Sequence, residues 1–300
     1  MVQKKLAANK GNAGRPDRNL PESTTSLITR IAQLLEPRVP TLYSGMNFGD
    51  QSGYVSWRFD SKQFKTIEIL HLTDLQFGHI FCDVKRIIEY RDWVLSKPNR
   101  FVVFGGDMID AGTKFSPGSP WEQRCEPQGE VYQFCELIYP LAHRVLGYVS
   151  GNHELRSVPT FGNLGSMLAS ILNIPFSLTQ QRVDIHFGAH KPFSIRLWHG
   201  AGTSQSAGAK MNMVDRFMQR GDADLYLTGH LHDAMTKFKW REMRDPVSLK
   251  VYFKKIGGAM SSSFLQYCHT YAEAMNLEPN GLMMARAVLE ADGGWELTLR

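Results

Sequence analysis

The chain has 300 residues, 43% hydrophobic and 21% charged, the composition of a globular protein long enough to bury a sizeable core. No apolar run reaches the roughly 18 to 20 residues that span a membrane, and the N-terminus MVQKKLAANKGNAGRPDR carries positive charge without the apolar core of a secretory signal. The net charge of +5 is gathered at the front, where Lys4, Lys5, Lys10, Arg15 and Arg18 stand against Asp17; the remaining body is nearly neutral, so no broad basic face is implied.

Residues 1–22 read as a basic flexible tail, a solubilising extension before a nucleic-acid arm. Residues 23–65 read as an N-terminal helical and irregular decoration. Leu27, Ile28, Ile31, Leu34 and Leu35 follow helical spacing up to Pro37, and a strand is placed at Tyr54–Phe59. From 66 to 300 the pattern alternates. Strands are expected at 67–73, 101–105, 145–150 and 224–228, with two more in VDIHF and SIRLW. Helices are expected from the N-cap Asp83 to Lys97, over 130–143 with a bend at Pro140, over 162–172 and over 208–220. A Pro/Gly-rich loop covers 111–129, and the end is strand-rich in MTKFKW, VSLKVYFKK, LMMARAVLE and WELTLR. The four cysteines, Cys82, Cys125, Cys135 and Cys268, show no metal or disulfide spacing, which implies a reducing, cytoplasmic location.

Several apolar runs end in a residue type that binds metals. IEILHLT leads to Asp74, FVVFGGD to Asp107, VLGYVSGN to Asn152 and His153, SIRLWHG to His199, and DLYLTGH to His230 and His232. Groups just past strand ends in an α/β sheet gather in one crevice. A cluster of carboxylate, carboxamide and imidazole suits Mn, Fe or Zn rather than a Cys-rich structural zinc site. Each residue alone has a plainer reading. Asp107 could cap a helix, Asn152 could be a turn residue, and His230 and His232 could face opposite sides of one segment.

The ordered blocks D-x-Q, G-D-x-x-D, G-N-H-E, H-G and G-H-x-H resemble the calcineurin-like metallophosphoesterase superfamily over about residues 66 to 300. That resemblance implies an α/β fold of four layers, an αββα sandwich of two mixed sheets flanked by helices. It also implies two divalent ions, Mn²⁺ expected and Fe²⁺, Zn²⁺ or Ni²⁺ as alternatives. Asp107 would bridge them, with Asp74, Gln76 and His232 on one ion and Asn152, His199 and His230 on the other. Two such cations neutralise phosphoryl oxygens and generate hydroxide near neutral pH. His153 would face the leaving-group oxygen as a catalytic residue beside Asp107, and Asn152 and His153 would touch the substrate. Gln76 departs from the family, which usually has His there. Its oxygen is the expected ligand; His79 taking over, or Gln76 holding only a water, are the alternatives.

In the loop AGTKFSPGSPWEQRCEPQG, Lys114 and Arg124 are candidates to hold a phosphate and Trp121 to stack on a base, against the reading of ordinary surface residues. The expected partner is a phosphate ester, with nucleic acid or nucleotide among the candidates, and no membrane. A phosphodiesterase or nuclease is favoured, with a phosphomonoesterase or a weak binding module as rivals. The blocks are shared with SbcD-type nucleases, although on this reading their C-terminal capping domain is not expected. The arginine-bearing motif of calcineurin-type protein phosphatases is missing after GNHELRSVP. Deletion of residues 1 to 20 is expected to leave the turnover of a small chromogenic phosphate ester unchanged, because it touches none of the blocks.

Overall fold

The computed structural model describes residues 43–44, 53–113, 116, 120–190, 192–274, 279 and 281–300. The expected tail and the helix before Pro37 lie outside the described residues. Twelve strands are described: β1 Tyr43–Ser44, β2 Tyr54–Phe59, β3 Thr66–Leu72, β4 Arg100–Phe104, β5 Val145–Tyr148, β6 Gln180–Phe187, β7 Phe193–Trp198, β8 Leu225–Thr228, β9 Met235–Arg244, β10 Val251–Met260, β11 Ala285–Glu290 and β12 Trp295–Leu299. They form a seven-stranded sheet in the order β1-β2-β6-β7-β8-β10-β9 and a five-stranded sheet in the order β12-β11-β3-β4-β5. Both sheets are mixed. The trio β3, β4 and β5 is parallel, as are β7, β8 and β10.

Period-two alternation sorts the side chains into layers. From β3 and β4, Ile67, Ile69, Phe101 and Val103 enter the core between the sheets, where they meet Val183, Ile185, Ile195, Leu197, Leu225 and Leu227. The intervening Leu70, Leu72, Val102 and Phe104 join a second core with Ile87, Val94, Phe134 and Leu168 of the helices Val84–Leu95, Pro127–Ile138 and Leu164–Leu172. On the far side, Val214, Phe217 and Met218 of the helix Ala207–Gln219 cover Tyr226 and Ile256. The result is the four-layer sandwich, with two mixed sheets flanked by helices.

Local chemistry fixes the ends. Asp83 caps its helix by accepting from Arg86 N at 3.0 Å. The helix expected over 130–143 ends at Ile138 and continues as a 3₁₀ turn, Tyr139–Arg144, because Pro140 supplies no N–H. The strand Tyr54–Phe59, grouped by sequence with the N-terminal decoration, pairs in parallel with β6 and gives Val55, Trp57 and Phe59 to the inter-sheet core. Among the described residues no helix is long and apolar enough to cross a membrane.

Two consequences can be measured. Phe101 is fully buried and meets Phe59 edge-on, with ring centroids 5.0 Å apart; Phe101→Ala should cost about 3–5 kcal/mol in a denaturant titration. Glu130, in the first turn of its helix, is also fully buried. Its Oε2 accepts from Ala111 N at 2.7 Å, and its Oε1 has no hydrogen-bond partner among the described residues. Burial pushes this carboxyl up to about 8. The folded state therefore keeps a proton that the unfolded chain releases near its ordinary value. This contribution to stability is present at acid pH and is lost as pH rises towards about 8, at up to about 1.4 kcal/mol per pH unit. Glu130→Gln should flatten that slope in melts recorded between acid and alkaline pH.

Candidate metal centre

The parallel strands β3, β4 and β5 end on the same side of the five-stranded sheet, and β7 and β8 end above them in the other. Asp74 follows β3, Asp107 follows β4, Asn152 and His153 follow β5, His199 follows β7, and His230 and His232 follow β8. The parallel pairing continues past the strands, since Asp74 N donates to Gly106 O at 2.9 Å and Gln76 N to Asp107 O at 3.0 Å. The sheet thus hands two carboxylates to one place.

The backbone there is strained. Asp74, Gln76, Asp107, His230 and His232 have φ of 51°, 47°, 53°, 71° and 52°, the left-handed region that side chains with a Cβ rarely adopt. Such strain clusters where a site must aim its side chains. Close approach also needs glycine. A Cβ on Gly151 would lie 2.0 Å from Asp107 Oδ1, and one on Gly229 would lie 2.2 Å from Asp74 Oδ2.

The predicted ligands come together. Asp107 Oδ2 is 3.1 Å from His199 Nε2 and 3.5 Å from His153 Nε2. Asn152 Oδ1 is 3.0 Å from His199 Nε2 and 2.8 Å from His230 Nδ1. His232 Nε2 is 3.2 Å from Asp74 Oδ1 and 3.2 Å from the Gln76 amide. One ligand atom each from Asp107, His199 and His230 lies within 4.8 Å of the others. Gln76 therefore stands inside the cluster. His79 faces elsewhere: its Nδ1 takes Phe81 N at 3.2 Å, and its Nε2 is 3.6 Å from Glu122. Arg124 is exposed and donates one bond, from Nη2 to Ile80 O at 3.1 Å. Lys114 lies outside the described residues.

The geometry fits a cation. His199 Nδ1 is 2.8 Å from Gly105 O, and His230 Nε2 is 2.8 Å from Gly202 O. A carbonyl only accepts, so those nitrogens carry the ring protons. The other nitrogens, His199 Nε2 and His230 Nδ1, face the oxygens of Asp107 and Asn152. These donor atoms, buried on Asp107 and His199 and more open on Asn152 and His230, stand close enough to share a metal or a proton. Burial lowers His199, but Asp107 and Asp74 outweigh it and hold the imidazole up at about 10. Burial likewise opposes ionisation of Asp107, yet His153 and His199 keep it well below the usual carboxylate range. Burial and the His199 charge push His230 down.

Sequence reasoning assigned no role to four supporting groups. Asp110 Oδ1 is 3.0 Å from His153 Nδ1. It is held in turn by Gln123 Nε2 at 2.6 Å, and Arg156 Nη2 donates to its carbonyl at 2.9 Å. Glu154 accepts from the N–H groups of Asp107, Met108 and Gly151. Asp110 and Glu154 are letters of the G-D-x-x-D and G-N-H-E blocks, so their signal was present. Gln123 lies on the loop, where nothing in the sequence distinguishes it.

The profile of a family described as Calcineurin-like phosphoesterase matches residues 67–234, the stretch that carries every ligand candidate. No curated protein sequence matches the chain. Solved structures similar to it include a predicted phosphoesterase from Streptococcus pneumoniae, 16% identical over 78% of this chain and 98% of that one, with a TM-score of 0.32. Vps29 from Entamoeba histolytica, complexed with zinc, is 12% identical over 78% and 98%, with a TM-score of 0.38. A metallophosphoesterase from Sphaerobacter thermophilus is 15% identical over 78% and 87%, with a TM-score of 0.37. The profile covers more than half of the 300 residues, and the chain belongs to the calcineurin-like phosphoesterase family.

Proposed function

We propose that the protein is a metal-dependent phosphoesterase whose substrates are phosphodiesters, nucleic acids or nucleotides among them, ahead of phosphomonoesters. One observation carries this reading. Carboxylate, carboxamide and imidazole groups from the ends of strands in both sheets converge, with Asp107, His199 and His230 offering atoms within 4.8 Å of one another. Asp74, Gln76, Asp107 and His232 would hold one divalent ion, and Asp107, Asn152, His199 and His230 the second; Mn²⁺ is the expected metal. When bound, two such ions neutralise phosphoryl oxygens and make hydroxide available near neutral pH.

The chain's own groups do the rest. Asp110 holds His153 Nδ1 at 3.0 Å, so Nε2 is the nitrogen turned to the site. Burial lowers His153, but Asp107 and Asp110 outweigh it and raise it above the ordinary imidazole value. It thus keeps a proton at Nε2 that can pass to a leaving oxygen. Arg156 lies against the Nδ1 side of the ring and the Asp110 carbonyl, which fixes the ring plane.

Elemental analysis after Mn²⁺ loading should find about two ions per chain, and bis-p-nitrophenyl phosphate should be hydrolysed faster than p-nitrophenyl phosphate. Asp107→Asn should lose metal and turnover together. His153→Ala should keep the metal and lose about 10²- to 10⁴-fold in kcat. Loss of metal in the His153 variant would refute the division of roles, a faster monoester would overturn the diesterase assignment, and neither metal nor turnover would leave a binding module.

A further inference from the structure

The antiparallel ribbon of β9 and β10 has one face turned to solvent. Register pairs Phe238 with Gly257, Trp240 with Lys255, Glu242 with Phe253 and Arg244 with Val251, and directly paired residues share a face. On that face Phe238, Trp240, Val251 and Phe253 are 46%, 70%, 56% and 65% exposed. The opposite face leans on the helix Ala207–Gln219 through buried Ile256. The free face begins where the five-stranded sheet ends. Trp295 of β12 stacks on Phe238 with centroids 6.1 Å apart, and Lys255 Nζ lies 4.9 Å and 4.8 Å from the two ring centroids. Four of the fourteen exposed large hydrophobic side chains among the described residues lie on this one face, with Val247 and Leu249 in the turn beyond it, so this is a concentrated patch rather than ordinary scatter.

Its charge indicates what would cover it. Residues 235–255 hold seven cations, Lys237, Lys239, Arg241, Arg244, Lys250, Lys254 and Lys255, against Glu242 and Asp245. The helix side is partly neutralised. Asp215 takes Lys237 and Lys239, Asp224 takes Lys254 at 2.9 Å, and Arg241 donates to the carbonyls of Met218 and Gly221. On the solvent face Lys255 and Arg244 outnumber Glu242. A second copy laid on this face would set the cations against their own duplicates. A polyanion carrying flat apolar groups satisfies both halves of the surface, with phosphates on the cations and bases stacked on the rings.

We infer that the solvent face of the β9–β10 ribbon is a stacking platform for single-stranded nucleic acid, which it holds while a phosphodiester reaches the metal centre. This rests on the diesterase reading above. Met260, at the end of β10, pairs with Thr228 just before the His230 loop. At about 3.3 Å per residue, Lys255 and Trp240 lie roughly 17 Å from that end and Val251 roughly 30 Å. Only a polymer can touch both places, so the substrate class narrows to an oligonucleotide or longer strand.

The test uses the full chain and a fluorescent single-stranded DNA of about twenty nucleotides, read by anisotropy at low salt in EDTA. Bis-p-nitrophenyl phosphate turnover with Mn²⁺ is measured on the same preparations. The variants Trp240→Ala/Phe253→Ala and Lys255→Glu should each weaken DNA binding tenfold or more, with small-ester turnover unchanged. Wild-type affinity should fall steeply with salt, and a trinucleotide should bind both variants as it binds wild type. Unchanged affinity in both variants, or no wild-type binding, overturns the platform. So does sedimentation of wild type as a dimer that Trp240→Ala dissociates, or ribbon-dependent binding to phosphatidylserine vesicles without binding to DNA. DNA binding that needs the ribbon in a protein without small-ester turnover would sustain the platform and refute the diesterase reading.

Discussion

Glu154 accepts hydrogen bonds from Asp107 N at 3.0 Å, Met108 N at 2.6 Å and Gly151 N at 2.8 Å, and from the Tyr148 hydroxyl at 3.2 Å. One carboxyl thus ties the loop after β4 to the loop after β5. Burial and the Asp107 charge push Glu154 above its ordinary range, although the Gly151 and Met108 backbone donors favour its ionised form. Those donors would otherwise be buried and unpaired, at a cost of about 1–3 kcal/mol each. The tie holds Asp107 in its left-handed turn, and Asp107 Oδ1 then accepts from His153 N at 2.9 Å. The placement of His153, and through it of Asp110 and Arg156, follows from that first connection.

The same arrangement sets buried acids against buried imidazoles. His199 is held up at about 10 and Asp107 is held down, so each group favours the charged form of the other. A divalent ion held there would compete with a proton for the same imidazole nitrogen. Asp107 is thus strained, buried and paired at once.

The strands were legible because their two faces enter two different cores, and alternation survives wherever each face meets its own apolar layer. Phe101 and Val103 against Val102 and Phe104 are the clearest instance. The ligand candidates were legible because their order along the chain is fixed by the order of strand ends. Three things were not. The left-handed φ of Asp74, Asp107, His230 and His232 is imposed by tertiary contacts, since none of these residues seeks that region alone. Membership of Tyr54–Phe59 in the larger sheet depends on a parallel partner more than a hundred residues away. The nearly neutral charge of the body concealed the ribbon, because counting along a chain averages over faces that folding separates; Lys255 and Arg244 share a face with Trp240 only through the β9–β10 register.

Asp74, Asp107 and Asn152 ride on the five-stranded sheet, and His199, His230 and His232 on the seven-stranded one. The gap between the two halves of the site is therefore set by the thickness of the apolar layer that separates the sheets. Interiors are packed as densely as organic crystals and compress little, so Phe101, Ile69, Leu197 and Leu227 act as a gauge block for atoms they never touch. A methylene added or removed there would change the spacing of the candidate ligands at the rim.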